Sequence, residues 1–321
     1  MVEAAERVFA RHETFHPRYG WFRKAYTFVG DDSKIFVLRD APIRMGVGKN
    51  MVRAIRFWGT AAKLIAEKRD SRKRSGSMEQ TQLGIQLFGS EGWDPYMEEP
   101  ATLWLLHWLL LAPPCLLPVW WVAFNEFHAI EFDEDDLERI VLAQLEFASE
   151  WKAPHRSSIL KDVSALLRTY TPADRSARVG IDDMLNCPFR ELGLIGRSEA
   201  TKRYRFATGA KPTLPAAVVA FAAMDYVARV KSGSNTVTLS HLAQEPGGPG
   251  RVFKLLENDL HMALASVAAD SARNSARITL TAVSGAVQLG WSGNPRDIAI
   301  AIMDDYYTQS DFPSTNGKVP A

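Results

Sequence analysis

An uncharged, strongly apolar stretch in the first half of the chain limits what this sequence can fold into. Residues 101–124, ATLWLLHWLLLAPPCLLPVWWVAF, contain no Lys, Arg, Asp or Glu and have about the length of a membrane span. His107 interrupts the stretch, three prolines break it, and acidic residues flank it where a membrane anchor would carry Lys or Arg. The stretch therefore predicts two buried core helices joined at the prolines, and no membrane association.

The remainder of the sequence is typical of a globular protein. The 321 residues exceed one average domain, and the 46% hydrophobic and 23% charged fractions are those of a folded chain. We expect a mainly α (α+β) fold with units at 1–130, 131–235 and 236–310 and a flexible tail at 311–321. The start lacks a basic-then-apolar signal, and Cys115 and Cys187 have no metal-site spacing, which favours a cytoplasmic protein with reduced thiols.

Two stretches resemble well-known motifs but lack essential parts of them. Residues 12–16, HETFH, are a literal H-E-x-x-H, the pattern with which metalloproteases hold zinc on one helix face. Pro17 biases His16 away from the helical conformation that this geometry requires, and no third ligand stands out. Residues 45–50, MGVGKN, lack the first glycine and the final Ser or Thr of a phosphate-binding P-loop. We therefore expect neither a zinc site nor a nucleotide site.

Positive and negative charges are concentrated in separate segments. Residues 44–74 contain ten Lys or Arg against two acids, whereas residues 126–138 contain seven acids and no Lys or Arg. Between 47 and 68, apolar residues recur at steps of four and three, which predicts a helix with one core face. Lys49, Arg53, Arg56 and Lys63 fall on the opposite face. Such asymmetry is typical of a surface that binds a polyanion.

The segments around this basic helix favour a DNA-binding unit. Two helices are predicted before it, over 18–30 and 31–38, while a basic loop (69–77) and a strand-like stretch (81–89) follow it. This order is winged-helix-like, and a solvated helix face is the alternative. The candidate DNA-binding residues are Arg18, Lys24, Arg44, Lys49, Asn50, Arg53 and Arg56, together with Arg72, Lys73 and Arg74 of the loop.

The C-terminal segment repeats the pattern. Residues 236–270 predict a short helix, a Pro/Gly turn and a long amphipathic helix, and residues 276–291 predict a strand pair that turns at Ser284-Gly285. Arg251 and Lys254, placed at the start of the long helix, are further candidates for DNA contact. A module for dimerisation or docking on the same scaffold is an equal alternative.

Polar side chains near the N-terminus could supply phosphodiester chemistry. Glu13 and Asp40 could hold a divalent metal such as Mg²⁺ or Mn²⁺, and His12 could act as a general base. Lys49 or Arg18 could contact the phosphate, where cations stabilise the developing charge. The structural alternative is a His-Glu cap and an arginine ion pair that hold the N-terminus on the core.

Several separated blocks together resemble one bacterial family. The blocks are RHETFHPRYGW (11–21), MGVGKNMVRAIRFW (45–58), TQLG (81–84) with DPYMEEPATLWLLHW (94–108), and PGRVFKLLEN (249–258). They resemble the SspB-like family, once catalogued only as a domain of unknown function, whose best-understood member nicks DNA in Ssp phosphorothioation systems. The resemblance implies partnership with a cysteine desulfurase, an ATPase and an ATP-pyrophosphatase.

The resemblance carries over to particular positions of this chain but identifies no catalytic residue. The matching positions are His12, Glu13, Phe15, Arg18, Trp21, Lys24 and the block 46–53, whereas His16 is not a fixed feature of the family. The hypothesis is thus a nicking endonuclease that acts on duplex DNA in phosphorothioate modification and antiphage defence, with Mg²⁺ or Mn²⁺ as cofactor. A non-catalytic DNA-binding or adaptor subunit of a defence operon is the alternative.

Overall fold

Helices dominate the described part of the protein, which in this computed structural model comprises residues 1–68, 76–172, 187–230, 233–270 and 278–309. Two short hairpins and a three-stranded sheet accompany them. The prediction of a mainly α fold with some β structure is confirmed. Buried side chains from Ala5 to Tyr307 form one continuous hydrophobic core.

The N-terminal part folds around the basic segment. Its elements are α1 (Trp21–Asp31), a 3-10 turn (Ile35–Val37), α2 (Ala41–Met45), α3 (Lys49–Ala61), the antiparallel strands β1 (Ile65–Glu67) and β2 (Met78–Gln80), and α4 (Gln82–Phe88). Gly46, in the left-handed conformation with φ 64°, ends α2 and lets the chain turn into α3.

The close approach of α1 and α3 explains the glycine inside α3. A Cβ atom at Gly59 would lie 2.6 Å from the Cβ atom of Ala25 on α1, a distance that real Cβ atoms do not adopt. The inner face of α3 buries Ile55 and Trp58, as its apolar pattern predicts, and also Val52. The basic side chains of α3 consequently point away from the core.

The apolar stretch forms the centre of the core. In α5 (Pro100–Leu111) every side chain from Ala101 to Leu111 is buried, and α6 (Pro118–Trp121) continues into a π-helical turn (Val122–Glu126) that is buried up to Asn125. The prediction of two buried helices joined at the prolines is confirmed. No helix among the described residues combines the length and the apolar character that crossing a membrane requires.

The following segment surrounds this centre. Its elements are α7 (Glu134–Phe147), α8 (Arg156–Tyr170), a 3-10 turn (Pro188–Leu192), the hairpin strands β3 (Ile195–Arg197) and β4 (Tyr204–Phe206), and α9 (Ala216–Val230). Asp133 and Asp136 form a reciprocal capping box at the start of α7. The acidic run therefore caps the N-terminus of α7.

The C-terminal part packs α-helices against the three-stranded sheet. Its elements are β5 (Thr236–Thr238), α10 (Leu239–Gln244), α11 (Pro249–Phe253), α12 (Glu257–Ala269), β6 (Ile278–Val283), β7 (Ala286–Trp291) and α13 (Pro295–Gln309), with antiparallel sheet order β5-β7-β6. Ser284 and Gly285 turn the β6–β7 hairpin with positive φ angles of 51° and 83°. The predicted hairpin turn is confirmed.

Four local predictions were wrong. Lys63 does not continue the basic face, because it lies beyond the end of α3 and its amine donates a hydrogen bond to the Leu109 carbonyl of α5. Residues 81–89 are not strand-like but contain α4, because the Thr81 hydroxyl accepts a hydrogen bond from the Gly84 N–H at 3.0 Å and caps a helix. The core stripe of α3 ends earlier than predicted, since Ile65 already lies in β1. Arg251 and Lys254 do not start the long helix, because Lys254 turns the chain with φ 55° before α12 begins.

His107 links α5 to two distant segments. Its Nδ1 atom lies 2.8 Å from the Tyr170 hydroxyl of α8, and its Nε2 atom lies 2.9 Å from the Val252 carbonyl of α11. A carbonyl oxygen can only accept, so Nε2 carries the proton and Nδ1 accepts from Tyr170. Burial lowers the pKa of His107 to about 4, which keeps the ring neutral in the core.

This neutral histidine predicts acid sensitivity. The pKa of His107 rises from about 4 to its ordinary value of 6.5 on unfolding. Between these two pH values the unfolded chain therefore binds a proton at His107 that the folded protein does not bind. The free energy of unfolding is unaffected by this ionisation above pH 6.5. It decreases as the pH falls from 6.5 towards 4, by about 3 kcal/mol in total. We expect His107→Gln to flatten the pH dependence of the free energy of unfolding in this window, measured by urea denaturation. An unchanged slope would contradict this role.

Candidate nucleic-acid interface

The outer face of α3 presents a group of cations to solvent. Lys49, Asn50 and Arg53 are exposed and Arg56 is half-buried, on the side of α3 opposite Trp58. The first turn of α3 contains no acidic residue, and its N-cap has no side-chain hydrogen bond. The backbone N–H groups at this end and the neighbouring cations therefore favour an anion such as a DNA phosphate. We call this surface, made of Lys49, Asn50, Arg53 and Arg56, the α3 basic face.

Glu13 lies at the edge of the α3 basic face. Its carboxylate Oε1 atom is 3.5 Å from the Arg53 Nη1 atom, and the two side chains are 30% and 54% exposed. An ion pair at this exposure contributes little to stability, roughly 0–1 kcal/mol. The pair does bring one carboxylate next to cations that could bind a phosphate. Glu13 itself has a positive φ of 53°, in a turn where residues 10 and 14 also have positive φ.

His12 points in the opposite direction, into the core. It is 1% exposed, lies among the rings of Phe57, Trp58 and Trp120, and its Nε2 atom is 2.6 Å from the Asp162 Oδ1 atom of α8. A general base has to reach the proton that it removes. Because its ring lies in the core, His12 is better placed to position the turn that carries Glu13 than to contact a substrate.

Asp162 anchors this turn to α8. Its carboxylate accepts a hydrogen bond from the Ala10 N–H at 2.9 Å in addition to the contact with His12. Burial raises the pKa of Asp162, while the hydrogen bond from His12 opposes that shift. Asp162 is not among the residues predicted from the sequence, although one signal could have identified it. Asp162 shares a helix face with Ile159, Val163 and Leu166, all of them buried, and a carboxylate in such a position needs a partner.

The protein itself engages three other predicted DNA-binding cations. Lys24 donates a hydrogen bond to the Met45 carbonyl at 3.0 Å, which stabilises the last turn of α2. Arg44 pairs with Asp32 at 2.9 Å. The guanidinium carbon of Arg18 lies 5.7 Å from the ring centre of Trp21. These contacts leave Lys49 and Asn50 as the candidates most accessible to a ligand.

The structure does not surround the predicted metal ligands Glu13 and Asp40 with further ligands in the part of the chain that it describes. Asp40 is exposed at the N-cap of α2. In the same part of the chain, no group of three or more His, Cys, Asp or Glu side chains is placed to hold a metal ion. A metal held by protein ligands alone therefore does not fit these residues. Predicted loop residues Arg72, Lys73 and Arg74 lie outside the described residues.

The HETFH stretch does not form the geometry of a zinc protease. Residues 11–14 form turns and residues 15–18 have no regular structure, so His12 and His16 do not share a helix. The effect predicted for Pro17 is confirmed.

Arg251 and Lys254 lie apart from the α3 basic face. They line a cavity of about 410 Å³ in the C-terminal part, beside the π-helical turn. Both side chains are half-buried. The structure thus places one group of predicted DNA-binding residues on an exposed helix face and another in an open pocket of the C-terminal part.

Comparison with known proteins gives one family and two similar structures. The family model described as a protein of unknown function (DUF4007) matches residues 9–307. No match was found among the curated proteins. A structure described as SspB is 37% identical, with a TM-score of 0.86 and coverage of 97% of this chain and 92% of that chain.

A second structure, of magnesium ion-bound SspB, is 38% identical with a TM-score of 0.88, and covers 97% of this chain and 91% of that chain. The resemblance stated from the sequence blocks is thereby confirmed. The chain belongs to the DUF4007 family and is SspB-like along nearly its whole length.

Proposed function

We propose that this protein is a divalent-metal-dependent DNA nicking endonuclease that serves DNA phosphorothioate modification and antiphage defence. The observation that carries the proposal is its likeness to SspB over 97% of the chain. The exposed cations of the α3 basic face support duplex DNA as the ligand. The proposed partners are a cysteine desulfurase, an ATPase and an ATP-pyrophosphatase of the modification system.

The α3 basic face is the proposed docking surface for the DNA backbone. Lys49 and the first-turn N–H groups would contact one phosphate, and Arg53 and Arg56 would follow the backbone along the helix. The order of helices and hairpin at both ends of the chain supports winged-helix-like units. Two such units would allow one protein to contact an extended stretch of duplex.

Magnesium is the proposed cofactor, supported by the magnesium ion-bound SspB structure. Mg²⁺ commonly takes only one or two carboxylates and completes its shell with water and substrate phosphate, so a protein-only cage is not required. Glu13 would hold the ion together with a DNA phosphate, with Asp40 as a second candidate. The bound ion would supply Lewis-acid activation of the phosphodiester.

The side chains of the protein would then do three things. Lys49 would bind the phosphate and stabilise charge that develops on it. Arg53 would hold the Glu13 carboxylate in place before DNA binds. His12 and Asp162 would fix the turn that carries Glu13, and so would act as positioning residues.

A non-catalytic DNA-binding or adaptor subunit is the second candidate. Two observations favour it, namely the burial of His12 and the absence, among the described residues, of a cluster of three or more side chains placed to hold a metal ion. Incubation of supercoiled plasmid with the protein and Mg²⁺ or Mn²⁺ separates the two. Conversion to open circles that is abolished by a chelator supports the nickase, and binding without conversion supports the adaptor.

The α3 basic face predicts salt-sensitive DNA binding. Each neutralised phosphate contributes about −0.9 to the slope of log K against log salt concentration on duplex DNA. We expect Lys49→Ala to weaken binding and to flatten this slope by about one unit, while leaving the melting temperature nearly unchanged. Arg139→Ala is the matched control, since Arg139 is 75% exposed on the acidic helix α7. Wild-type affinity and slope in Lys49→Ala would show that DNA docks elsewhere.

Glu13 predicts a separation of nicking from binding. We expect Glu13→Gln to lose plasmid nicking by about 100-fold or more, because it removes an interaction made in the transition state. Duplex affinity should be kept or slightly increased, since Arg53 loses its acidic neighbour. Glu150→Gln, a change at an exposed residue, should nick like the wild type. If Glu13→Gln nicks normally, its carboxylate takes no part in the reaction.

A further inference from the structure

The cavity that contains Lys254 lies where three parts of the chain meet. It has a volume of about 410 Å³ and is bounded by residues 127–129 after the π-helical turn, by β4 with Thr208, and by α10, α11 and the start of α12. A volume of this size falls in the range of about 300–1,000 Å³ that small-molecule sites occupy. The cavity is large enough for a phosphate group and part of what it is attached to.

Lys254 enters this cavity in an unusual conformation. Its φ of 55° lies in the left-handed region, which is unfavourable for a residue other than glycine. The Nζ atom donates a hydrogen bond to the Phe124 carbonyl at 2.7 Å and lies 4.1 Å from the ring centre of Phe206. That carbonyl belongs to the π-helical turn, and such turns are frequent at functional sites. The ammonium group of Lys254 therefore donates to the Phe124 carbonyl and contacts the ring of Phe206.

Arg251 brings a second cation to the same cavity. Its Nη1 atom lies 2.7 Å from the His128 Nδ1 atom, and its Nε atom donates to the Gln244 carbonyl at 2.8 Å. The same Nη1 atom lies 3.5 Å from the Nε2 atom, so the guanidinium contacts the imidazole ring of His128 through both ring nitrogens. Two cations and one imidazole ring meet in one pocket.

No carboxylate neutralises these cations in the described part of the chain. Neither Arg251 nor Lys254 forms an ion pair there. The acids nearby have other roles or positions, since Glu126 pairs with the N-terminus, Asp259 caps α12 and Glu257 is exposed at the rim. Partly enclosed cations without a counter-charge are costly unless an anion joins them.

We propose that this cavity binds a tetrahedral oxyanion of the phosphate class, held by Lys254 and Arg251 beside the imidazole ring of His128. The site does not depend on nicking activity or on the α3 basic face. The oxyanion could be a phosphate of the DNA backbone or that of a free phosphate compound, and the experiment below distinguishes these sources.

The electrostatics of Lys254 agree with this assignment. Burial, and next the charge of Arg251, lower the pKa of Lys254 to about 7. The other titratable groups around it are Lys211, whose amine lies 3.4 Å from the Lys254 carbonyl, the neutral rings of His107 and His128, and the three acids named above. An anion in the cavity would favour the charged ammonium and raise this pKa. Anion binding should therefore take up a proton near neutral pH.

Calorimetric titration with sulfate and with inorganic phosphate tests the site. Sulfate keeps its double charge between about pH 6 and about pH 9. The pH dependence of sulfate binding therefore reports on the ionisation of groups of the protein and not of the ligand. We expect the wild type to bind both ions, and sulfate affinity to rise about tenfold as the pH falls from about 8.5 to about 6.5. Proton uptake should appear as a binding heat that depends on the buffer.

Two variants and one control make the result specific. Lys254→Gln should weaken sulfate binding about 10- to 100-fold and abolish its pH dependence. Arg251→Gln should weaken binding and keep the pH dependence, and it replaces the first variant if Lys254→Gln does not fold. Lys202→Gln is the control, because Lys202 is an exposed lysine that also has a positive φ, of 56°. No binding by the wild type, or wild-type binding by both cavity variants, would overturn the proposal.

Duplex DNA gives the second arm. If the oxyanion is a backbone phosphate, the cavity variants should weaken both sulfate and duplex binding, and phosphate should compete with the duplex. If it belongs to a free phosphate compound, sulfate binding should fall while duplex affinity stays at the wild-type value. Loss of duplex affinity alone, without loss of sulfate binding, would contradict the site.

Discussion

A helix without a single charged side chain has to be surrounded by the rest of the chain, and α5 imposes this requirement on the whole fold. Its polar atoms still need partners in the core, because an unpaired buried polar group costs about 1–3 kcal/mol. The polar side chains of α5 have hydrogen-bond partners on four other helices. Thr102 lies 2.8 Å from the Tyr307 hydroxyl of α13, Trp108 donates to Asp225 of α9, and His107 joins α8 to α11. These bonds fix the position of each segment relative to α5.

The filled core also limits where the cations can lie. With the core filled by aromatic and aliphatic side chains, the basic residues of α3 remain at the surface, where the Glu13 turn meets them. On its core side, the turn is anchored by the hydrogen bond between His12 and Asp162. Asp162 lies in the part of α8 that packs on the core. Core packing thus places an acidic side chain beside a basic helix face, and the proposed chemistry depends on that placement.

The sequence was sufficient to predict elements whose pattern is strong and local. The buried Trp-rich helices, the basic helix and the turn at Ser284-Gly285 all followed from periodicity or turn chemistry. The helix at Gln82–Phe88 begins with a hydrogen bond to the Thr81 hydroxyl. In the sequence, this single capping residue is a weaker signal than the apolar residues around it, which favoured a strand. The break at Lys254 could not be foreseen, because a left-handed lysine has no local sequence signature.

The candidate site was harder to predict than the fold. Its residues were found as neighbours in sequence, but His12 and Glu13 point to opposite sides of one turn. Asp162, which orients the turn, lies 150 residues away from His12 in the chain. Side-chain direction and long-range partners depend on tertiary packing, which neither composition nor spacing reports.

Amide hydrogen exchange with and without duplex DNA tests the central claim most directly, namely that the α3 basic face is the DNA-contacting surface. The N–H groups of the first turn of α3 have no acceptor within the helix, so they exchange readily until a ligand covers them. The account predicts strong, salt-sensitive protection over residues 46–53 when DNA is added, with no change in α5, whose amides are already buried. Protection confined to other segments, with residues 46–53 exchanging as in the free protein, would contradict it.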